Sequence, residues 1–499
     1  METRRRGNRG IEENTMAILD LSGFSKNSQH VNDDRIAFLE AVRSASIVPE
    51  NGIPPTNKMF EAIFQILKDE KSLDLIMASY QLLNELDKRF PRVYISKTEK
   101  SKSPSPSTVS LELAVVKEAW SPFIFGVDVA SGEREEANKK SGGSLDASAF
   151  LSLIQDLAKV ADETKFEATE TKFLRNMLLF QYLVSVLEGD FLPRNSVFTE
   201  TMNWIHLRES LLNMLLVSRR ISYKGLVKDC LSVLCEICHV HNGFSHETRY
   251  PENSSEGLLK SCDAALAIAL PEVEKCTCIA VQKLLMITME LDLSKKKADM
   301  KGLTTRADGV RTPVVEIILD ELTYNRDILS PFFQDFNEPK WKLEIVVQYF
   351  WKYIAKFACG LWIYWRIFVQ NLSRVDLDMK PSVRTRRSNG STDNATFDGL
   401  LKCFSNGNST KNITKKISPE VTQLLLAHGF QAFLSLSSQD SVEGISDPIG
   451  DVKGGSLVEI CKNIISAFTS LRRTDEHMEI FPCGKAALFT AASILSTKS

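Results

Sequence analysis

Apolar positions recur along this chain with the spacing of one helical face after another. Met59, Phe60, Ile63, Phe64 and Leu67 fall on one stripe, and Leu75, Ile76, Tyr80, Leu83 and Leu86 form a second. The polar run Asp69-Glu70-Lys71-Ser72 separates them and Pro91 closes the pair. The result is a helix hairpin of roughly the size used in armadillo and HEAT repeats, about 40 residues. The same periodicity predicts helices near 149–162, 166–190, 197–219, 223–242, 256–269, 272–292, 312–330, 339–357, 395–404, 418–436, 455–472 and 484–496. Alternating runs bounded by hairpin turns are nearly absent, so the pattern predicts an all-α fold. No clean repeat of fixed period emerges. The expected architecture is an irregular armadillo/HEAT-like helical-repeat solenoid, each hairpin burying its apolar face against the next.

Composition along the chain divides it further. Residues 1–33 read as a disordered basic N-terminus, 34–96 as helix pairs, and 97–147 as flexible Ser/Pro- and charge-rich loops. A central helical-repeat region follows over 148–356, an atypical aromatic segment over 357–380, and C-terminal helices with flexible loops over 381–499. Ser103-Pro104 and Ser105-Pro106 offer phosphate acceptors on a stretch that otherwise reads as a solvated linker.

The bulk numbers belong to a globular protein: 43% hydrophobic and 25% charged residues, with a formal net charge of −2. That balance argues against a surface built to coat nucleic acid, though local basic patches remain. Ten cysteines, scattered through apolar helical runs, do not form a disulfide framework, and reduced thiols are expected. The opening METRRRGNRGIEEN carries the charge of a signal n-region without its apolar core, so no signal peptide is predicted. The most apolar run, FACGLWIYW, stops far short of the about 20 residues a spanning helix needs, and no membrane span is expected.

Charge concentrates between two amphipathic patterns. Residues 295–311 hold six cations, Lys295, Lys296, Lys297, Lys301, Arg306 and Arg311, against Asp299 and Asp308. Gly302 and Asp308-Gly309 mark turns inside this stretch, and Thr312-Pro313 reads as an N-cap with a first-turn proline. A charged connector between packed helices is suited to recognising a partner, so these six cations are the candidate partner-binding residues. Reversing Lys295, Lys296 and Lys297 is then expected to weaken partner capture without lowering the melting temperature. Arg384, Arg386 and Arg387 form a second cluster, suited to nuclear import or basic contact. Lys411, Lys415 and Lys416 make a third.

The chemistry-bearing constellations are weaker. Cys235, Cys238, His239 and His241, with Cys230 and His246 beside them, have the look of a metal or haem motif. Their helical spacing favours a buried helix with small soft side chains instead. Asp320-Glu321 and Glu135-Glu136 lack a histidine partner nearby in sequence. There is no Walker loop, dinucleotide fingerprint or nucleophile elbow. The residues therefore predict no enzyme, no cofactor, no metal and no small-molecule substrate.

Longer stretches carry more specific information. VPENGIPPTNKM (48–59), EAWSPFIFG (118–126), ETMNW (200–204), MELDLSKKKAD (289–299), TRADGVRTPVVEIILDELTY (305–324), PKWKLEIVVQY (339–349), VRTRR (383–387) and FSNGNSTKNITKKI (404–417) occur in this order. Together they resemble the "suppressor of npr, inducible" family of plant negative regulators of systemic acquired resistance. The resemblance implies an armadillo-like nuclear protein that represses defence-gene transcription. It also implies links to DNA-damage responses and homologous recombination through a five/six-type structural-maintenance-of-chromosomes (SMC) complex. Partners would be subunits of that complex and chromatin-associated proteins, with any DNA contact indirect. One departure stands out: the family pattern runs almost directly from a KYIAK-like sequence into PSVRTRR, whereas residues 357–380 are interposed here. They read either as a retained intron or as a species-specific helix, and transcript sequencing distinguishes the two.

Overall fold

The stripes fold as helices because each gains about 1.5–3 kcal/mol per large apolar side chain withdrawn from water. The computed structural model describes residues 15–19, 28–98, 110–116, 118–125, 144–162, 170–242, 261–309, 311–354, 396–439 and 457–498. Helix dominates throughout, as the all-α reading requires. The chain divides into two compact units, Met1–Ile317 and Ile318–Ser499.

In the first unit the predicted hairpin is α2 (Asn57–Asp69) and α3 (Leu73–Arg89). Thr56 caps α2, its side chain accepting from the Met59 amide at 3.4 Å. The residues of both stripes are buried except Tyr80, which is half-buried and donates to Gln181 Oε1 at 3.0 Å. A further helix, α1 (Ser28–Ser46), packs on α3 and begins inside the segment expected to be disordered. The turn between α1 and α2 is fixed by Arg89, whose guanidinium donates to Ile47 O at 2.9 Å, Glu50 O at 2.6 Å and Pro49 O. Gly52 is obligatory there: a Cβ would stand 2.2 Å from Ser46 O.

The expected 97–147 loop region is in part ordered. Strands β1 (Val93–Thr98) and β2 (Ser110–Val115) form an antiparallel hairpin with Val93 opposite Val115 and Thr98 opposite Ser110. Its alternation is too weak to read from sequence, because among the strand residues whose burial is described only Val93 is buried, and α5 supplies the packing surface. Downstream, Trp120 stacks on Phe60 with ring centroids 5.5 Å apart, and Phe123 bridges to Leu145.

Helices α4 (Ala147–Asp162), α5 (Glu170–Thr201), α6 (Trp204–Arg208), α7 (Leu211–Val217), α8 (Tyr223–Asn242) and α9 (Ser261–Met300) complete this unit. Helix α5 is its centre, touching α2, α3, α4, α6, α7, α9 and both strands. A helix apolar all round must be buried all round, and Phe173, Leu174, Met177, Phe180, Leu183, Leu187 and Phe191 are. That burial carries α5 through Pro193, and α9 likewise runs through Pro271. Both prolines lie inside helices where breaks were expected.

The division between units falls inside α10 (Val314–Tyr324). The second unit continues with α11 (Leu329–Asp335), α12 (Pro339–Ile354), α13 (Phe397–Lys402), α14 (Gly407–Thr414), α15 (Pro419–Gln439), α16 (Leu457–Thr474) and α17 (Pro482–Lys498). Helix α15 packs on α12, α16 and α17, and Phe332, Phe333 and Phe336 fill the space beneath α11. Helix α14 replaces an expected loop and is capped by Asn406, which accepts from the Asn408 amide at 2.9 Å.

Six cysteines among the described residues are not disulfide-bonded, but Cys278 is, which corrects the expectation of reduced thiols throughout. Among the described residues no helix is long and apolar enough to cross a membrane. Residues 357–380 lie outside the described residues.

Candidate functional site

The charged stretch 295–311 is less a solvated loop than the end of a helix followed by a clamped turn. Helix α9 extends to Met300, so Lys295, Lys296 and Lys297 are helical. It stops in a Schellman turn: Leu303 N donates to Ala298 O at 2.9 Å and Gly302 N to Asp299 O at 3.0 Å, with Gly302 at φ +68°. A short 3₁₀ turn, Arg306–Asp308, follows.

Two buried carboxylates hold this connector. Asp308 Oδ2 accepts from Thr305 N at 2.7 Å and Thr305 Oγ1 at 3.0 Å. Its Oδ1 accepts from the Trp204 indole at 3.1 Å and lies 3.6 Å from Arg208 Nε. Burial alone would raise the Asp308 carboxyl, but the donors from Thr305 and Trp204 outweigh it and hold the group below the usual range. Asp292, one turn before the lysines, accepts from Arg311 Nε at 2.9 Å, Tyr223 OH at 3.1 Å and the Val314 amide at 2.9 Å. Arg311 also lies over the Tyr223 ring, 5.1 Å from its centroid. The first amide of α10 is thus capped by a carboxylate from α9 rather than by Thr312.

The six candidate cations therefore separate. Lys295 is buried and donates to Asp308 O at 2.6 Å and Gly309 O at 2.5 Å. Burial, then the neighbouring Arg311, lowers its pKa. Arg311, its side chain 12% exposed, is paired to Asp292 at 2.8 Å. Lys296 and Lys297 are half-buried, and burial brings Lys296 down to about 8 despite Glu316. Lys301 and Arg306 alone of the six are exposed. The expectation that reversing Lys295–Lys297 spares the melting temperature is overturned: an acid at 295 would face two carbonyl oxygens in the interior.

Among the other candidates, Arg384, Arg386 and Arg387 lie outside the described residues. Lys411 and Lys415 are exposed, and Lys416 donates to Tyr353 O at 2.8 Å. Cys230 and Cys235 are buried in α8, and burial pushes the Cys230 thiol up. The side chains of Cys238, His239 and His241, and all of His246, lie outside the described residues. Among the described residues no group of three His, Cys, Asp or Glu is placed to hold a metal ion. A shallow groove between α3, α5 and α9 is lined by Tyr80, Gln181, Glu188, Cys276 and Lys283. Its polar groups engage one another, with Lys283 on Glu188 at 2.8 Å and Gln181 on Val273 O and Thr277 at 2.9 Å.

Of the residues that matter most here, the sequence reading reaches Asp308 only as an acid and a turn residue within the basic stretch, and misses Trp204, Arg208, Tyr223 and Asp292. Trp204, Asp292 and Asp308 did lie in family-like stretches, and that co-occurrence was the available signal. No local rule reveals that an indole and a carboxylate 104 residues apart share a hydrogen bond.

The chain matches the family description "SNI1 middle domain" over residues 92–338 and "SNI1 C-terminal domain" over residues 378–499. It is 46% identical over 493 residues to a protein of Arabidopsis thaliana named "Negative regulator of systemic acquired resistance SNI1", an alignment covering 98% of this chain and 95% of the relative. No solved structure matches it significantly. Residues 357–380 fall mostly between the two matched spans.

Proposed function

The chain belongs to the SNI1 family, and from that premise we propose that it is a non-enzymatic nuclear scaffold restraining systemic acquired resistance and defence-gene transcription. It acts through protein–protein contacts within a five/six-type SMC complex, and so bears on DNA-damage responses and homologous recombination. The name of the Arabidopsis relative supports the regulatory part of this reading. The complex, the nuclear location and the recombination role rest on the family resemblance.

One observation supports the scaffold part. Stretches 200–204, 289–299 and 305–314 converge on the two buried carboxylates. Their donors, the Thr305 and Tyr223 hydroxyls among them, are spent on holding a backbone in place. A connector fixed in this way is preorganised for docking, because little freedom is left to lose on binding.

Affinity purification of the full chain from plant nuclei with quantitative mass spectrometry tests the proposal. Subunits of the five/six-type complex are expected in near-stoichiometric yield, and their absence would overturn it. A second reading, a direct DNA-binding repressor, is favoured by the exposed Lys301, Arg306, Lys411 and Lys415 and opposed by the net charge of −2. Steeply salt-dependent binding of the pure protein to duplex DNA would support it.

A further inference from the structure

Among the described residues the β1–β2 sheet holds two strands, so each strand keeps one unpaired edge. The register fixes which groups lie there. Pairing runs residue for residue, from Val93 opposite Val115 to Thr98 opposite Ser110, with no bulge. Val116 N donates to Arg92 O at 2.9 Å. Ladder bonds in an antiparallel pair alternate, so the pairs in step with that bond carry them: Tyr94 with Ala114, Ser96 with Glu112, Thr98 with Ser110. The intervening residues turn amide and carbonyl outward, and on β2 these are Leu111, Leu113 and Val115. Among the described residues no backbone group bonds to Leu113 or Val115 from that side.

Side chains alternate with the backbone. Val93 is buried on the face toward α5, and Leu113 and Val115 share that face by register. Both are only half-buried, so α5 covers this face incompletely, and the next residue, Val116, is 43% exposed. The two edges also differ. An edge that must stay unpaired is guarded by charge, proline or a bulge. On β1, Lys97 occupies one of the outward-bonding positions, whereas all three on β2 are aliphatic. Glu112 belongs to the ladder-bonded set and to the opposite face. The β2 edge is therefore the unguarded one.

We propose that the outer edge of β2 binds an extended segment of a partner protein, which adds to the hairpin as a third strand. Donors and acceptors recur along this edge about every 6.8 Å, a row that another extended main chain matches. A nucleic-acid backbone offers acceptors without the alternating donors. Apolar residues at every second position of the bound segment would continue the face of Leu113 and Val115. Polar residues between them would continue the face of Ser96 and Glu112. This contact is additional to the charged connector, and it deepens the scaffold reading by giving the form of one partner segment.

A displayed library of random peptides, sorted on the full-length protein, supplies the probes. The Leu111, Leu113 and Val115 amides should exchange freely in the protein alone and slowly once a selected peptide is bound. N-methylation of alternate peptide amides separates the two sides of the added strand. One set should cost about tenfold in affinity per amide and the other leave binding intact. Leu113→Pro removes an edge donor without a ladder bond, so it should weaken binding by at least about tenfold while the thermal melt holds. The methylation series leaves the protein untouched, so its answer stands even where that variant unfolds. Failure to enrich binders, edge amides already protected in the free chain, or methylation effects without the two-residue alternation would each overturn the proposal. So would protection of this edge that rises with protein concentration, the sign of two copies pairing. Peptide binding and the nuclear purification are read separately, so the failure of one does not decide the other.

Discussion

Asp292 and Asp308 decide what the cations around them can do. Lys295 and Arg311 are expended on structure, whereas Lys301 and Arg306 remain at the surface. Removing one partner of a buried ion pair costs about 3–5 kcal/mol, because the other is left uncompensated. Asp292→Ala also strips the α10 amide of its acceptor, so a loss in that range is expected in denaturant unfolding. Lys301→Glu and Arg306→Glu should each stay within about 0.5 kcal/mol of the parent. A second residue-scale prediction concerns pH. Burial raises the Glu344 carboxyl to about 7, a hydrogen bond from Gln348 only partly countering it. The folded value lies above the unfolded one, near 4.5. This group's contribution to stability is therefore highest below pH 4.5 and declines as pH rises to about 7. Glu344→Gln should flatten that decline and raise stability at pH 8 by up to about 3 kcal/mol, read from melts across the pH range. From sequence, Lys295 and Lys301 looked alike. Only the three-dimensional return of residues 308 and 309 onto α9 distinguishes them.

At the scale of elements, periodicity gave the hairpin α2–α3 and the span of α8 without adjustment, since the burial that shapes them follows the stripe. It failed where burial is not one-sided. Helix α5 carries apolar residues all round, so Pro193 looks like a break although tertiary packing holds the helix through it; α9 likewise continues past Pro271. The β1–β2 hairpin escapes the pattern for the opposite reason, having almost no stripe of its own: β1 falls mostly within the span read as helix pairs and β2 within the expected loop region. The end of α9 was placed several residues early, because three consecutive lysines suggested solvent; Gly302 is the true stop. At φ +68° it satisfies the last carbonyls through the Schellman turn. Gly302→Ala should cost about 1 kcal/mol in thermal stability, with the fold retained by circular dichroism.

For the molecule as a whole, the family and the all-α class were legible in long ordered stretches of sequence, whereas the pinned connector was not. The resemblance marked 200–204, 289–299 and 305–324 as belonging to one lineage; their meeting required coordinates. The carboxylate-held connector belongs to the first unit, and the buried Glu344 to the second. If docking proceeds through the connector, the protein contributes position rather than reactivity, and the strength of its partnership follows the integrity of that one turn. Hydrogen–deuterium exchange on the full chain, free and bound to the complex recovered from nuclei, tests this most directly. The account predicts new protection concentrated at residues 200–208 and 301–311. Protection confined to other segments, with these two unchanged, would contradict it.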